Sequence, residues 1–196
     1  MNFSTYLFLL LMFTVPSYAN EAKHADVSNY AGQEKRSIKS LSSDDIRELR
    51  RGGGWGFAKA AELNGYPGPS HLLDMKNKIM LTEEQVGIIK TSYNQMKAQA
   101  IELGERLISQ EQALEHMFRA KIVNPDTLRS SLSEIEKTRT ELRYTHLVTH
   151  LKTPKILSKD QIQRYNAMRG YSNSDPCSNI PEGHDAKMWK KHNGCQ

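Results

Sequence analysis

The clearest pattern in the chain is a run of apolar positions at alternating steps of three and four: Val86, Ile89, Tyr93, Met96, Ala100, Leu103, Leu107, Leu114 and Met117. Gln110 interrupts it once. This spacing puts every member on one side of an α-helix and predicts a long helix showing a narrow seam to a partner helix. Gly87 and Gly104 fall off the seam, each costing about 1 kcal/mol relative to alanine. Thr82 and Gln85 mark the start, because a hydroxyl at the N-cap accepts an orphan N–H while the glutamine amide reaches back. Asn124-Pro125-Asp126 ends this helix and opens a second, with Asn124 as cap and Pro125 in the first position. There Leu128, Leu132, Ile135, Leu142 and Leu147 continue an apolar face, interrupted by Arg139, until Thr153-Pro154 stops it.

Shorter elements flank this pair. Ser42 or Ser43, followed by Asp44, Asp45 and Glu48, predicts a capped helix that runs to the glycines 52–54. Trp55–Leu63 fits a short helix burying Trp55, Phe57, Ala60, Ala61 and Leu63. Residues 64–69 form a turn cluster, after which Ser70 can cap a helix carrying Leu72, Leu73, Met75 and Ile79. Ser158 and Gln161 repeat the capping box before Ile162, Tyr165 and Met168, and Gly170 closes that segment. No stretch alternates as a strand would. The fold class expected is all-α: a long helical hairpin with short flanking helices spanning 42–171. Residues 20–41 are polar and read as a flexible arm, and 172–196 as a loop-like tail.

The N-terminus changes the compartment. Leu7–Val15 is an apolar run, too short to span a bilayer comfortably, and Ser17-Tyr18-Ala19 matches what a signal peptidase reads. Cleavage near Ala19-Asn20 and export to the periplasm are expected; a retained membrane anchor is the alternative. Net charge +5 and pI near 9.1 favour acidic partners without specifying nucleic acid, since no basic cluster is interleaved with aromatics. A mean hydropathy of -0.64 suggests no further span. The two cysteines, Cys177 and Cys195, read as one disulfide in an oxidising compartment, worth about 3 kcal/mol by loop closure. Two free thiols holding a metal is the rival reading.

Leu81-Thr82-Glu83-Glu84-Gln85 and Leu157-Ser158-Lys159-Asp160-Gln161 are two copies of Leu-Thr/Ser-x-x-Gln, each opening a helix. Over residues 70–171 the chain resembles the LTxxQ-motif family of periplasmic proteins, Spy/CpxP/ZraP-like, a family that has the CnrX-like periplasmic heavy-metal sensors as a neighbouring branch. The resemblance implies a curved antiparallel homodimer of hairpins that works without ATP. It would bind unfolded client proteins or restrain the periplasmic domain of a sensor kinase. Client contacts would come from Lys90, Lys97, Arg106 and Arg119, with Met96 and Met117 as adaptable apolar contacts; the bland alternative is an ordinary solvated helix face.

Metal binding is the other function to weigh, with Zn, Ni or Cu as the possible cofactor and none required. His146 and His150 are four apart on one helix face, and a third ligand could be His116, Glu115 or His71. Otherwise His146 lies half-buried beside Leu142 and His150 faces water. In the tail, His184, Met188 and His192 would stack along one face if helical, a set suited to Cu(I). Lysines 187, 190 and 191 would oppose a cation there. No HExxH, nucleophile elbow or phosphate-cradling glycine loop is present, so no enzymatic activity is expected.

Overall fold

In a computed structural model, residues 28–171, 180, 183–192, 194 and 195 are described. The apolar run 7–15, the cleavage site near Ala19-Asn20 and Cys177 lie outside them. The chain divides into two units, one ending at Glu34 and a larger one beginning at Lys35. The described residues contain helices and no strand: α1 (Ser43–Arg50), α2 (Lys59–Glu62), α3 (Pro69–Asp74), α4 (Lys76–Ile79), α5 (Glu83–Arg119), α6 (Pro125–Lys152), α7 (Lys159–Met168) and α8 (Ala186–His192). None is long and apolar enough to cross a membrane.

The expected hairpin is the dominant feature. α5 and α6 pack against each other along their length, through Leu103 and Leu107 on one helix and Ile135 and Leu142 on the other, all buried. Each helix begins as its sequence dictates. The Thr82 hydroxyl accepts the Gln85 N–H at 3.1 Å and Gln85 Oε1 accepts the Thr82 N–H at 2.9 Å. Ser158 and Gln161 repeat this at 3.2 and 2.9 Å. Asn124 caps α6 with Pro125 in its first turn.

The two glutamines also meet. Gln85 Nε2 donates to Gln161 Oε1 and Gln161 Nε2 donates to Gln85 Oε1, both at 2.9 Å. The remaining amide hydrogens reach Ile156 O at 2.8 Å and Met80 O at 3.0 Å. The two motif copies thus form one reciprocal clasp that ties the start of α5 to the start of α7, with both amides fully used. Behind it Leu72, Ile79, Ile89, Leu157 and Tyr165 make a second apolar core.

α1 lies on α5, and the contact explains Gly104. A Cβ there would come within 2.5 Å of the Leu49 carbonyl oxygen, so only glycine admits this approach of backbone to helix. Gly52, at φ +66°, then turns the chain out of α1 beside Lys97 O.

Several local expectations are corrected. Residues 36–41, read as part of a flexible arm, pack: Ile38 and Leu41 are buried in the core with Leu49, Ser40 donates to Glu111 at 2.7 Å, and Lys39 pairs with Glu115 at 2.6 Å. The helix expected over 55–63 shrinks to α2, because Trp55 and Gly56 both have positive φ; Leu63 is exposed, not buried. Gly68, not Ser70, is the N-cap of α3, and the expected single helix through Ile79 breaks at Met75. The tail contains α8 where a loop was expected.

Candidate functional site

Where the 52–71 segment crosses the hairpin it leaves a cavity of about 500 Å³. Its wall includes His146 and His150 from α6, His71 from α3, and Glu62 from α2, with Trp55, Tyr93 and Met96 supplying apolar surface. Arg51, Lys59 and Lys97 also line it. The turn 65–68 is what closes one side. Thr153 Oγ1 donates to Pro67 O at 2.6 Å, and His150 Nδ1 lies 2.8 Å from Tyr66 O. A carbonyl only accepts, so Nδ1 is the donor of this bond and Nε2 is the ring nitrogen left for another partner.

Glu62 anchors the same turn. Its Oε2 accepts the Gly68 N–H at 3.1 Å and sits 3.8 Å from His150 Nδ1. Its Oε1 accepts from the Tyr165 hydroxyl, from Arg169 Nε at 3.2 Å and from the Tyr171 hydroxyl at 3.3 Å. A buried carboxylate is tolerable here because a guanidinium and hydrogen-bond donors meet both oxygens. Burial, followed by the hydrogen bond to Glu62, pushes the Tyr165 phenol well above its ordinary range, so it stays a donor.

His146 and His150 are both buried, 3% and 6% exposed, so the expectation that His150 faces water is overturned. It is held inward by the Tyr66 carbonyl. His146 Nε2 is buried without a hydrogen-bond partner, and its ring lies 6.2 Å from that of Phe57. Burial first, then the neighbouring His150, lowers the His146 pKa below the usual imidazole value. Burial and the Arg169 charge lower that of His71, against the opposing pull of Glu62 and Asp74. At neutral pH both rings therefore stay uncharged.

Of the possible third ligands, His71 shares the cavity, whereas Glu115 is engaged by Lys39 and Arg119 near the far end of α5 and His116 is exposed beside it. As they stand, no three His, Cys, Asp or Glu side chains among the described residues are close enough to hold a metal ion. In the tail, Met188 and His192 lie four apart on α8, but His184 precedes the helix and its ring packs 5.0 Å from Trp189. Cys195 is disulfide-bonded and no described cysteine is free.

The six residues expected to contact clients do not form one patch. Met96 is buried and lines the histidine cavity, so it is not a surface contact. Lys97 lines the same cavity, 5.9 Å above the Tyr93 ring. Arg106 pairs with Glu102 at 3.0 Å, Arg119 bonds Ser37 O and Glu115, Lys90 is exposed and Met117 is half-buried. A different apolar surface lies elsewhere on the hairpin. A groove of about 470 Å³ is lined by Gly87, Ile88, Thr91, Ser92 and Gln95 of α5 with Lys152 and Ile156. Ile88 is 48% exposed, and Tyr144 and Leu151, seven apart on α6, are 61% and 53% exposed. The seam pattern favours Ile89 over its neighbour; the doubled Ile88-Ile89 was the only local sign that one of the two faces outward. Glu62 and Arg169 carried no sequence signal, because their partnership spans distant segments.

No family model, curated protein or solved structure matches this chain.

Proposed function

We propose that the chain is an exported, ATP-independent binding protein that holds unfolded or misfolded polypeptides, acting as a chaperone or envelope-stress adaptor. The observation that carries this is the exposed apolar groove beside Ile88, together with the exposed Tyr144 and Leu151 on α6. Loose apolar contact of that kind suits segments of varied sequence, and Lys152 at its edge would favour acidic ones. The resemblance to the LTxxQ-motif proteins supports the same reading, as does the clasp built from both motif copies. The test is suppression of aggregation of a chemically unfolded client. Replacing Ile88, Tyr144 and Leu151 by serine together is expected to abolish suppression while far-UV circular dichroism stays unchanged. Full suppression by the triple variant would refute the assignment.

The histidine cavity supports a second reading, that the protein responds to Zn, Ni or Cu ions. His146 Nε2 has no partner and His150 uses Nδ1 on the Tyr66 carbonyl, which leaves its Nε2 for a ligand, on a cavity that His71 also lines. Two donors are in place and the half-buried His71 would have to turn to complete three. Calorimetric titration with Zn2+, Ni2+ and Cu+ tests it. Tight binding lost in the combined His146→Ala and His150→Ala variant supports metal response, and no binding by the unmodified protein excludes it.

A further inference from the structure

We propose that the closed end of the hairpin, around Phe118 and Ile122, docks on an anionic lipid surface. The inference stands apart from the polypeptide groove and from the histidine cavity, and rests on how α5 ends. Ala120 is the C-cap, the Lys121 N–H bonds Phe118 O at 3.1 Å and the Ile122 N–H bonds Met117 O at 3.1 Å. That is a Schellman ending, in which the residue after the left-handed position normally folds its apolar side chain back on the helix. Here that side chain stays largely in solvent: Ile122 is 61% exposed, and Phe118, one turn earlier, is 53% exposed.

The left-handed position is also unusual. Glycine is the ordinary occupant, yet Lys121 holds it at φ +57°, a conformation that costs an L-residue about 1 kcal/mol or more. The consequence is a cation between two exposed apolar side chains. Lys121 and Arg129 enter no ion pair among the described residues, while Lys39 and Arg119 flank the same end through their bonds to Glu115. Glu115 is neutralised by that pair, and the other nearby carboxylate, Asp126, lies in the first turn of α6 where the helix dipole favours it.

Exposed bulky apolar groups within a cationic collar match a bilayer interface bearing negative headgroups. The apolar groups enter the headgroup–acyl boundary and the cations meet the phosphates, each worth about 1 kcal/mol near such a surface. A helix–helix turn is convex, so it cannot enclose a polypeptide segment as the groove beside Ile88 can. Charge complementarity therefore favours lipid over a client at this end.

The experiment is co-sedimentation of the protein, purified as its host processes it, with vesicles of phosphatidylglycerol and phosphatidylethanolamine, against phosphatidylcholine alone. The N-terminus is read by mass spectrometry. Because the apolar run 7–15 would itself bind vesicles if retained, a local reporter is added: Phe118→Trp, with acyl chains carrying bromine as quencher. Expected are binding to the anionic vesicles that weakens in high salt, and quenching of the introduced indole beyond that of Trp55 and Trp189 in the unsubstituted protein. With Phe118→Ser and Ile122→Ser together, lipid partitioning should fall at least about tenfold. Both positions are exposed, so the fold is expected to survive, and circular dichroism checks it. No binding to anionic vesicles, or no excess quenching in the Phe118→Trp variant, overturns the proposal. So does a double serine variant that keeps lipid binding, or one that instead loses only client protection.

Discussion

Gly104 offers the sharpest test of the packing. On helix propensity alone, Gly104→Ala should stabilise α5 by about 1 kcal/mol. The structure reverses the sign. The new Cβ would sit 2.5 Å from Leu49 O and 2.9 Å from Leu49 C, both backbone atoms that cannot rotate away. α1 must move off α5 by roughly an ångström, loosening Ile38, Leu41 and Leu49, which are 4%, 2% and 2% exposed. Overpacking of this kind costs about 1–3 kcal/mol, and partial loss of three buried side chains adds to it. A net loss of about 2 kcal/mol is expected, which lowers Tm by about 4–8 °C in a domain of this size. Gly87→Ala is the matched control on the same helix, since nothing lies within 4 Å of its added Cβ. It should gain about 1 kcal/mol. Thermal and urea unfolding followed by circular dichroism measure both. If Gly104→Ala is as stable as Gly87→Ala, the close approach of α1 to α5 is wrong.

Three further outcomes follow from the same contacts. The lowered pKa values of His146 and His71 mean that the folded protein resists protonation there, so their contribution is complete above the ordinary imidazole value near 6.5. It is lost as pH falls below that value. The unfolding free energy from urea titration should decline from pH 7 to pH 5, by up to about 1.4 kcal/mol per pH unit for His146, and His146→Gln should flatten the slope. Gln85→Ala and Gln161→Ala should each cost about 1–2 kcal/mol by unfolding titration, and a double-mutant cycle should return a coupling near 1 kcal/mol, because each removes the other's partner. Glu62→Leu should cost about 3 kcal/mol or more, since it leaves the half-buried Arg169 without its carboxylate and the Tyr165 hydroxyl without its acceptor, while Glu62→Gln should cost less.

These predictions divide along the line between what local chemistry announces and what only the folded chain brings together. The caps of α5, α6 and α7 were readable because each is made of residues three apart, and the hairpin because its apolar spacing repeats over many turns. The extent of α2 was not, since composition does not show that Trp55 and Gly56 take positive φ. Gly104 read as a blemish in a helix because the reason for it lies on α1. The histidine pair was visible by its spacing of four, but its inward orientation depends on the carbonyl of Tyr66, 84 residues away. Glu62 and Tyr165, 103 residues apart, form the turn's anchor without either belonging to a recognisable motif.

The glutamine clasp stands between these cases. Each copy of the motif is a local cap, and nothing within either requires the two to meet. Their amides pair only because α5 and α6 return the chain to its starting end, so that α7 begins where α5 began. Each glutamine's own cap uses one lone pair of Oε1 and neither amide hydrogen; the pairing takes the second lone pair and one hydrogen, and Ile156 O or Met80 O takes the other. The repetition of the motif thus serves tertiary closure as well as helix initiation. A hairpin whose two helices were unequal by a further turn would carry the second glutamine past the first and leave both half-satisfied. The clasp therefore constrains the relative length and placement of α5 and α6.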